Sequence, residues 1–145
     1  MDPDTTKAYQ NLKKLGNVTT PFLGRTKFEP QHLGVDVANR KGTPIPAFAN
    51  GTVTSISNGF KNGDNGYGNS VTVTDQSGNI HKYSHLLRPL VKLGQQIKKG
   101  QVIGQMGDTG SSYSPTGGDS SHLDYRVASK FGKMKNPLTY LKNLN

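Results

Sequence analysis

Short β-prone runs alternate with clusters of glycine and asparagine from Val18 onward. This spacing favours many short strands joined by tight turns over long helices. Four runs predict strands, at Thr52–Ser57, Ser70–Asp75, Ile80–Leu86 and His122–Ala128. The pattern therefore predicts a mainly β fold, an antiparallel sheet or sandwich with short flanking helices. The length of 145 residues suits one compact domain.

The two ends of the chain have a different texture. Thr5–Leu15 predicts a short helix, so residues 1–17 are expected to form an N-terminal arm or linker and residues 18–145 the folded domain. Asn136–Leu144 predicts a short terminal helix with Pro137 at its start.

The sequence contains no recognisable targeting segment. Met1–Gly16 is polar and lacks the apolar run of a signal peptide, and no stretch approaches the roughly 20 apolar residues that a membrane span needs. We therefore expect no membrane span. A protein of this kind that works outside the cell would be delivered by other means, such as a phage particle or host lysis.

Charge and cysteine content limit the partners. Lys and Arg number 18 against 9 acidic residues, which gives a formal net charge of +9. Nucleic acid, an anionic membrane surface and an anionic cell wall all suit such a chain, and a generally basic surface is the simpler alternative. The chain has no Cys, which excludes disulfides and a Cys-based zinc site. It has no Trp and no interleaving of basic with aromatic residues, so nucleic acid is not expected.

The first chemical motif places His32 four residues before Asp36. Gly34 permits the chain to bend between them, so that the imidazole and the carboxylate can bind one metal ion. A surface hydrogen-bonded pair is the simpler alternative for an isolated His and Asp.

The second motif is HLDYRV, which begins at His122. Alternate residues of a strand share a face. The predicted core face comprises Leu123, Tyr125 and Val127, and the opposite polar face comprises His122, Asp124 and Arg126. His122 and Asp124 would project together from one rigid strand. The alternative is an exposed ion pair between Asp124 and Arg126, worth little, that leaves His122 without a role.

The third motif is HKYSH, from His81 to His85. The same alternation predicts that His81, Tyr83 and His85 share a strand face. A neutral His beside a metal-bound water can act as a general acid or base, or can stabilise an oxyanion. The alternative is a solvated strand face with ordinary histidines.

Together these motifs resemble the M23 metallopeptidases, the lysostaphin-like (LytM-like) cell-wall endopeptidases. The similar stretch runs from Phe22 to about Leu141, and Pro21–Arg25 is similar to the family's opening phrase before its first metal ligand. The similar segments, in chain order, are PFLGR, HLGVD, KGTPIPAFANGTV, GYGNSVTV, YSHL, VKLGQQIKKGQVIGQMGDTG, HLDYRV and NPLTYL. The resemblance implies an antiparallel β fold of the lysostaphin-like type.

The resemblance also implies a role for each matching residue. His32 and Asp36 would be the first two zinc ligands, and His85 would be the catalytic His of the Tyr-x-His segment. His122 matches the first, catalytic His of the family's His-x-His motif. The second His of that motif is the third zinc ligand in the family, and this chain has Asp124 there.

Asp124 is a departure from the family pattern. A carboxylate is an ordinary zinc ligand, so Asp124 is expected to complete a His-Asp-Asp site for one Zn²⁺ per chain. The second carboxylate makes the centre less positive and the ligand set harder. We therefore expect the zinc to be weakly bound, or to be replaced by another divalent metal such as Mn²⁺ or Mg²⁺.

A second departure is the long loop Gly110–Ser121 that precedes His122. It is expected to form a flap over the site, with Tyr113 as a candidate substrate contact, and a disordered surface loop is the alternative. His81 and Tyr83 are the other candidate substrate contacts.

The function that the resemblance implies is zinc-dependent hydrolysis of peptide bonds in bacterial peptidoglycan, in the stem or cross-bridge peptide. The basic charge also fits anionic cell-wall polymers. The expected location is extracellular or on a virion, such as a phage tail. The alternative is a catalytically degenerate M23-like domain that binds the cell wall or a partner without cleavage, with Asp124 marking a lost zinc site.

Overall fold

A computed structural model of the protein describes residues 3–23, 32–60, 66–110 and 120–142. Ten strands and two helices lie in these ranges. In chain order they are α1 (Pro3–Lys13), β1 (Asn17–Thr20), β2 (Val35–Ala38), β3 (Pro44–Pro46), β4 (Gly51–Ser57), β5 (Asn69–Thr74), β6 (Ile80–Pro89), β7 (Gln96–Ile97), β8 (Val102–Met106), β9 (His122–Ala128), β10 (Met134–Lys135) and α2 (Leu138–Leu141). The predicted strands and both predicted helices are present, with bounds that differ by a few residues.

The strands of the described residues form one sheet in which every pair is antiparallel. The order is β1-β2-β9-β6-β5-β4-β7, with β10 paired to β9, and β8 joining β3 to β6. The prediction of an antiparallel, mainly β fold is confirmed. Strand β9 lies between β2 and β6, and backbone hydrogen bonds along both of its edges fix its position. The polar side chains that it carries are therefore held on a rigid strand.

The core lies on one face of this sheet. The alternation of apolar and polar residues in β9 determines which of its side chains enter the core. Leu123, Tyr125 and Val127 have no exposed surface, as predicted. The ring of Tyr125 stacks on Tyr83, with 5.1 Å between ring centroids, and meets Phe48 edge-on at 4.7 Å. Burying a large apolar side chain contributes about 1.5–3 kcal/mol, so this cluster fixes β9 and β6 against each other.

The N-terminal helix α1 packs on the same core. Ala8 and Leu12 are buried, and the Asn11 side-chain amide donates a 2.6 Å hydrogen bond to the Leu141 carbonyl at the end of α2. An isolated helix of this length is marginal in water, so docking is what stabilises it. The domain boundary after residue 17 stays a prediction. Neither helix among the described residues has the length and apolarity to cross a bilayer.

Candidate metal and catalytic site

Three predicted metal ligands come together at the junction of β2 and β9. Asp36 on β2 lies directly opposite Asp124 on β9. His32 reaches the same point from the turn before β2, with its Nε2 atom 3.2 Å from Asp36 Oδ1 and 3.3 Å from Asp124 Oδ2. One potential ligand atom from each residue lies within 4.8 Å of the others. The three form a His-Asp-Asp donor set of the size that a single cation can occupy.

The donors are oriented as a metal site requires. The Nδ1–H of His32 donates a 2.8 Å hydrogen bond to the Gly34 carbonyl, which turns Nε2 toward the two carboxylates. Within the described ranges, the buried Oδ1 of Asp36 accepts no well-aligned hydrogen bond, although His32 Nε2 lies 3.2 Å from it. A buried carboxylate oxygen with only such a contact is costly, and a divalent cation between it, Asp124 and His32 would satisfy it. The residues present therefore fit a divalent metal ion.

In the metal-free protein, a proton on His32 takes part of the role of a cation. Burial alone lowers the pKa of His32, but the hydrogen bonds and charges of Asp124 and Asp36 outweigh it and raise the pKa to about 10. Burial works to raise the pKa of Asp124, whereas the bonds from His32 and Arg126 hold it well below its usual range. The metal-free site is therefore an imidazolium between two carboxylates.

Arg126 holds the Asp124 carboxylate in place. Its Nε donates to Oδ1 and its Nη2 to Oδ2, each at 2.9 Å. The side chain of Asp124 is 5% exposed, so this is a bidentate ion pair in a largely desolvated setting. A Cβ atom on Gly34 would lie 2.5 Å from the Tyr125 carbonyl oxygen, 2.6 Å from Arg126 Cγ and 3.0 Å from Asp124 Oδ1, so glycine leaves room for both β9 and this pair. The Asp124–Arg126 ion pair and the contact of Asp124 with His32 exist together and are not alternatives.

The two predicted catalytic histidines lie side by side on the polar face of the sheet. The ring centroids of His85 and His122 are 4.5 Å apart. Nδ1–H of His85 donates to the Thr109 carbonyl at 2.7 Å, and Nδ1–H of His122 donates to the Ser120 carbonyl at 2.9 Å. Each ring is thereby fixed in orientation, and in its neutral form each has its lone pair on Nε2. Burial lowers the pKa of His85, and the neighbouring His122 lowers it further.

A β-bulge in β6 delivers His85 to this face. Asn69 lies opposite Leu86 and Val71 opposite Tyr83, so two residues of β6 oppose one residue of β5. His85 adopts a φ of +64°, a rare conformation for a residue other than glycine. The predicted common face of His81, Tyr83 and His85 is therefore wrong, because the bulge reverses the alternation before His85.

His81 and Tyr83 lie on the core side of the sheet instead. Both have no exposed surface. His81 donates from Nε2 to Asp75 and accepts from the Tyr125 hydroxyl, both at 2.8 Å, and the Tyr83 hydroxyl accepts a 2.9 Å hydrogen bond from the Phe48 N–H. Neither side chain can contact a bound substrate here, so the prediction of substrate contact does not hold for them.

The third predicted substrate contact, Tyr113, lies outside the described residues, as does most of the predicted flap Gly110–Ser121. Two residues that the sequence did not single out lie beside the site. The Lys82 ammonium lies 3.8 Å from the ring centroid of Tyr67, and the Tyr67 ring lies 6.4 Å from that of His85. Lys82 sits inside the third motif, but only the cross-strand register shows which side chains surround it.

The comparisons with known proteins identify the family of this chain. Residues 30–137 match the family model described as peptidase family M23. Peptidoglycan DD-endopeptidase ShyC of Vibrio cholerae is 38% identical over 119 residues, which are 82% of this chain and 24% of that protein. Murein hydrolase activator NlpD of Escherichia coli is 36% identical over 113 residues, which are 78% of this chain and 27% of that protein. The chain thus spans about a quarter of the length of these two relatives.

A solved structure agrees with the fold. It is the catalytic domain of a point mutant of the prophage-encoded M23 protein EnpA from Enterococcus faecalis, with a TM-score of 0.68 and 27% identity. The match covers 83% of this chain and 88% of that chain. The fold predicted from the sequence is confirmed.

Proposed function

Since the chain belongs to peptidase family M23, we propose that it is a zinc-dependent endopeptidase of bacterial peptidoglycan, which hydrolyses the stem or cross-bridge peptide. The observation that carries this proposal is the placement of the His32, Asp36 and Asp124 cluster beside the paired rings of His85 and His122. His122 shares the polar face of β9 with Asp124, and the charges of Asp124 and Asp36 act on the pKa of His85. A metal site next to two fixed imidazoles is what metal-assisted hydrolysis of an amide needs.

His32, Asp36 and Asp124 would hold the zinc ion. Bound zinc would supply a Lewis acid and a water of lowered pKa in the position that three protein ligands leave open. With neutral His32 and two carboxylates, the formal charge of the loaded site is zero, and Arg126 adds one positive charge beside it. Because two of the three donors are carboxylates, weak zinc binding or replacement by Mn²⁺ or Mg²⁺ is part of the proposal.

The two histidines would divide the proton chemistry. Burial and the neighbouring ring lower the pKa of His85 and favour its neutral form. His85 is therefore suited to accept a proton at Nε2 from the attacking water and to return one to the leaving amine. His122, whose ring is oriented by the Nδ1–H bond to the Ser120 carbonyl, would direct Nε2 to the developing oxyanion as a hydrogen-bond donor.

The names of the relatives support the substrate, since ShyC is a peptidoglycan endopeptidase. The net charge of +9 favours an anionic wall, including its anionic polymers. We propose action at the cell wall from outside the cell or from a virion, in line with the prophage-encoded EnpA.

A second candidate function rests on a different observation. The NlpD relatives are named murein hydrolase activators, and Asp124 is satisfied by Arg126 without a metal. A domain that binds the wall or a partner enzyme without cleavage is consistent with both facts.

Digestion of isolated cell walls by the zinc-loaded protein separates the two functions. Release of new amino groups from the wall peptide is expected, and His85→Ala and His122→Ala should each lower the rate by roughly 10²-fold or more while the melting temperature stays similar. Lys98→Ala is the matched control, because Lys98 is exposed and follows β7 at the far edge of the sheet. Retained cleavage in either His variant would remove that residue from catalysis. Wall binding without cleavage by the unaltered protein would favour the second function.

A further inference from the structure

Lys82 and Arg126 lie directly opposite each other on β6 and β9. Two cations at paired positions of an antiparallel sheet repel, and such pairs are destabilising. The pair lies on the polar face of β9, the face of Asp124 and His122, because Arg126 alternates with them. Asp124 already neutralises Arg126, so Lys82 is the cation of this pair that a bound anion would stabilise.

The ring of Tyr67 lies against both cations. Lys82 Nζ is 3.8 Å from the ring centroid and Arg126 Cζ is 5.1 Å from it. The same ring is 6.4 Å from the His85 ring, and the Tyr67 carbonyl accepts a 2.9 Å hydrogen bond from the His85 N–H. Tyr67 is 37% exposed. Tyr67 therefore lies between the two cations and His85, and its ring is partly open to solvent.

The two cations differ in whether an acidic side chain is bonded to them. Arg126 gives two hydrogen bonds to Asp124, whereas Lys82 has no acidic group within 4 Å among the residues that the structure describes. Lys82 is half-buried, and burial lowers its pKa while the charge of Asp124 raises it. A partly desolvated ammonium without an acidic partner in the described ranges binds an incoming anion more strongly than a fully hydrated one does.

We propose that Lys82, backed by the face of Tyr67, forms a subsite for a free carboxylate of the wall peptide next to the bond that is cut. This rests on the proposed endopeptidase function. A single ammonium with three donors suits a carboxylate oxygen, and Arg126 adds long-range attraction without leaving Asp124. Peptides carry such carboxylates at their C-terminus and on acidic residues, so the subsite would set both substrate preference and register.

The test uses isolated cell walls stripped of phosphate polymers, with their carboxylates either free or converted to amides with carbodiimide and ammonia. Zinc-loaded wild-type protein should show an apparent KM about tenfold higher on the amidated walls, with kcat changed little, as expected for the loss of one charge-assisted hydrogen bond. Lys82→Met keeps the apolar stem and removes the charge. It should show the higher KM on both preparations, while Lys98→Met should behave like the wild type.

Two outcomes would overturn the subsite. One is an unchanged preference for free carboxylates in Lys82→Met. The other is an equal loss of kcat on both preparations with KM unchanged, which would place Lys82 in oxyanion stabilisation instead. If the wild type cleaves neither preparation, the endopeptidase function fails, and pelleting of the protein with the two walls still decides the subsite. Stronger binding to free walls that is lost only in Lys82→Met supports it, and equal binding contradicts it.

Discussion

Adding Zn²⁺ to the metal-free protein at pH 7 is expected to release one proton per metal ion bound, and that proton comes from His32. The ring is 2% exposed and its Nε2 lies within 3.3 Å of a carboxylate oxygen of both Asp36 and Asp124. These carboxylates raise its pKa to about 10 against the effect of burial. The ligand atom is therefore protonated at neutral pH and must lose its proton before it can bind a metal.

The size of the effect on zinc affinity follows from the difference between this pKa and the pH of the experiment. Deprotonating a group of pKa about 10 at pH 7 costs about 4 kcal/mol, so the apparent zinc affinity is lower than its high-pH limit by about 10³-fold. The affinity should rise about tenfold per pH unit between pH 6 and 8. The folding stability of the metal-free protein changes with pH in the opposite direction. Because the folded pKa lies above the unfolded value of 6.5, the metal-free protein is most stabilised below pH 6.5 and loses that stabilisation as the pH rises toward 10.

Isothermal titration calorimetry in two buffers of different ionisation enthalpy counts the released protons directly. The control is Asp75→Asn, which changes a second His–Asp pair, that of His81, and should leave the count at about one. Asp124→Asn removes one of the carboxylates that raise the pKa of His32 and should lower the count. Zinc binding at pH 7 with no proton release in the unaltered protein would refute a protonated His32.

Three further predictions concern the supports of the site. Arg126→Met removes two charge-assisted hydrogen bonds from the buried carboxylate of Asp124 and leaves His32 as its partner. It should cost the metal-free protein about 1.5–3 kcal/mol, with a smaller loss after zinc is added, in thermal unfolding with and without the metal. Gly34→Ala should lower the melting temperature and the zinc affinity together, since its Cβ would overlap Arg126 Cγ at 2.6 Å; full zinc affinity would speak against this. Tyr83→Phe removes the acceptor of the Phe48 N–H and should cost about 1–3 kcal/mol in urea unfolding with kcat unchanged, whereas a fall in kcat alone would return Tyr83 to the site.

The strand that carries Asp124 was predictable because its sequence has one strict period. Leu123, Tyr125 and Val127 are apolar at alternate positions and are fully buried, so the polar residues between them had to face the other way. The joining of Asp36 to Asp124 depends on pairing between strands far apart in the chain. Its prediction came from the resemblance and not from the local pattern.

The strand that carries His85 was not predictable in the same way. The bulge and the positive φ of His85 arise from the pairing of β6 with β5. The sequence has no glycine at that position that would have indicated them. A single extra residue reverses the face of the side chains that follow it, so His85 lies on the opposite face from His81 and Tyr83, with which strict alternation had grouped it. The carbonyls of Thr109 and Ser120 that orient the two rings are backbone atoms, and any residue type supplies them.

Elemental analysis of metal per chain, beside a turbidity assay on isolated cell walls, tests the proposed endopeptidase most directly. The protein should be purified without a metal-affinity column and measured as isolated and after zinc is added back. We expect about one zinc ion per chain and clearing of the wall suspension, both lost in Asp124→Ala. No bound metal and no clearing, even with added zinc, would contradict the His32–Asp36–Asp124 metal site and leave a domain that binds the wall without cutting it.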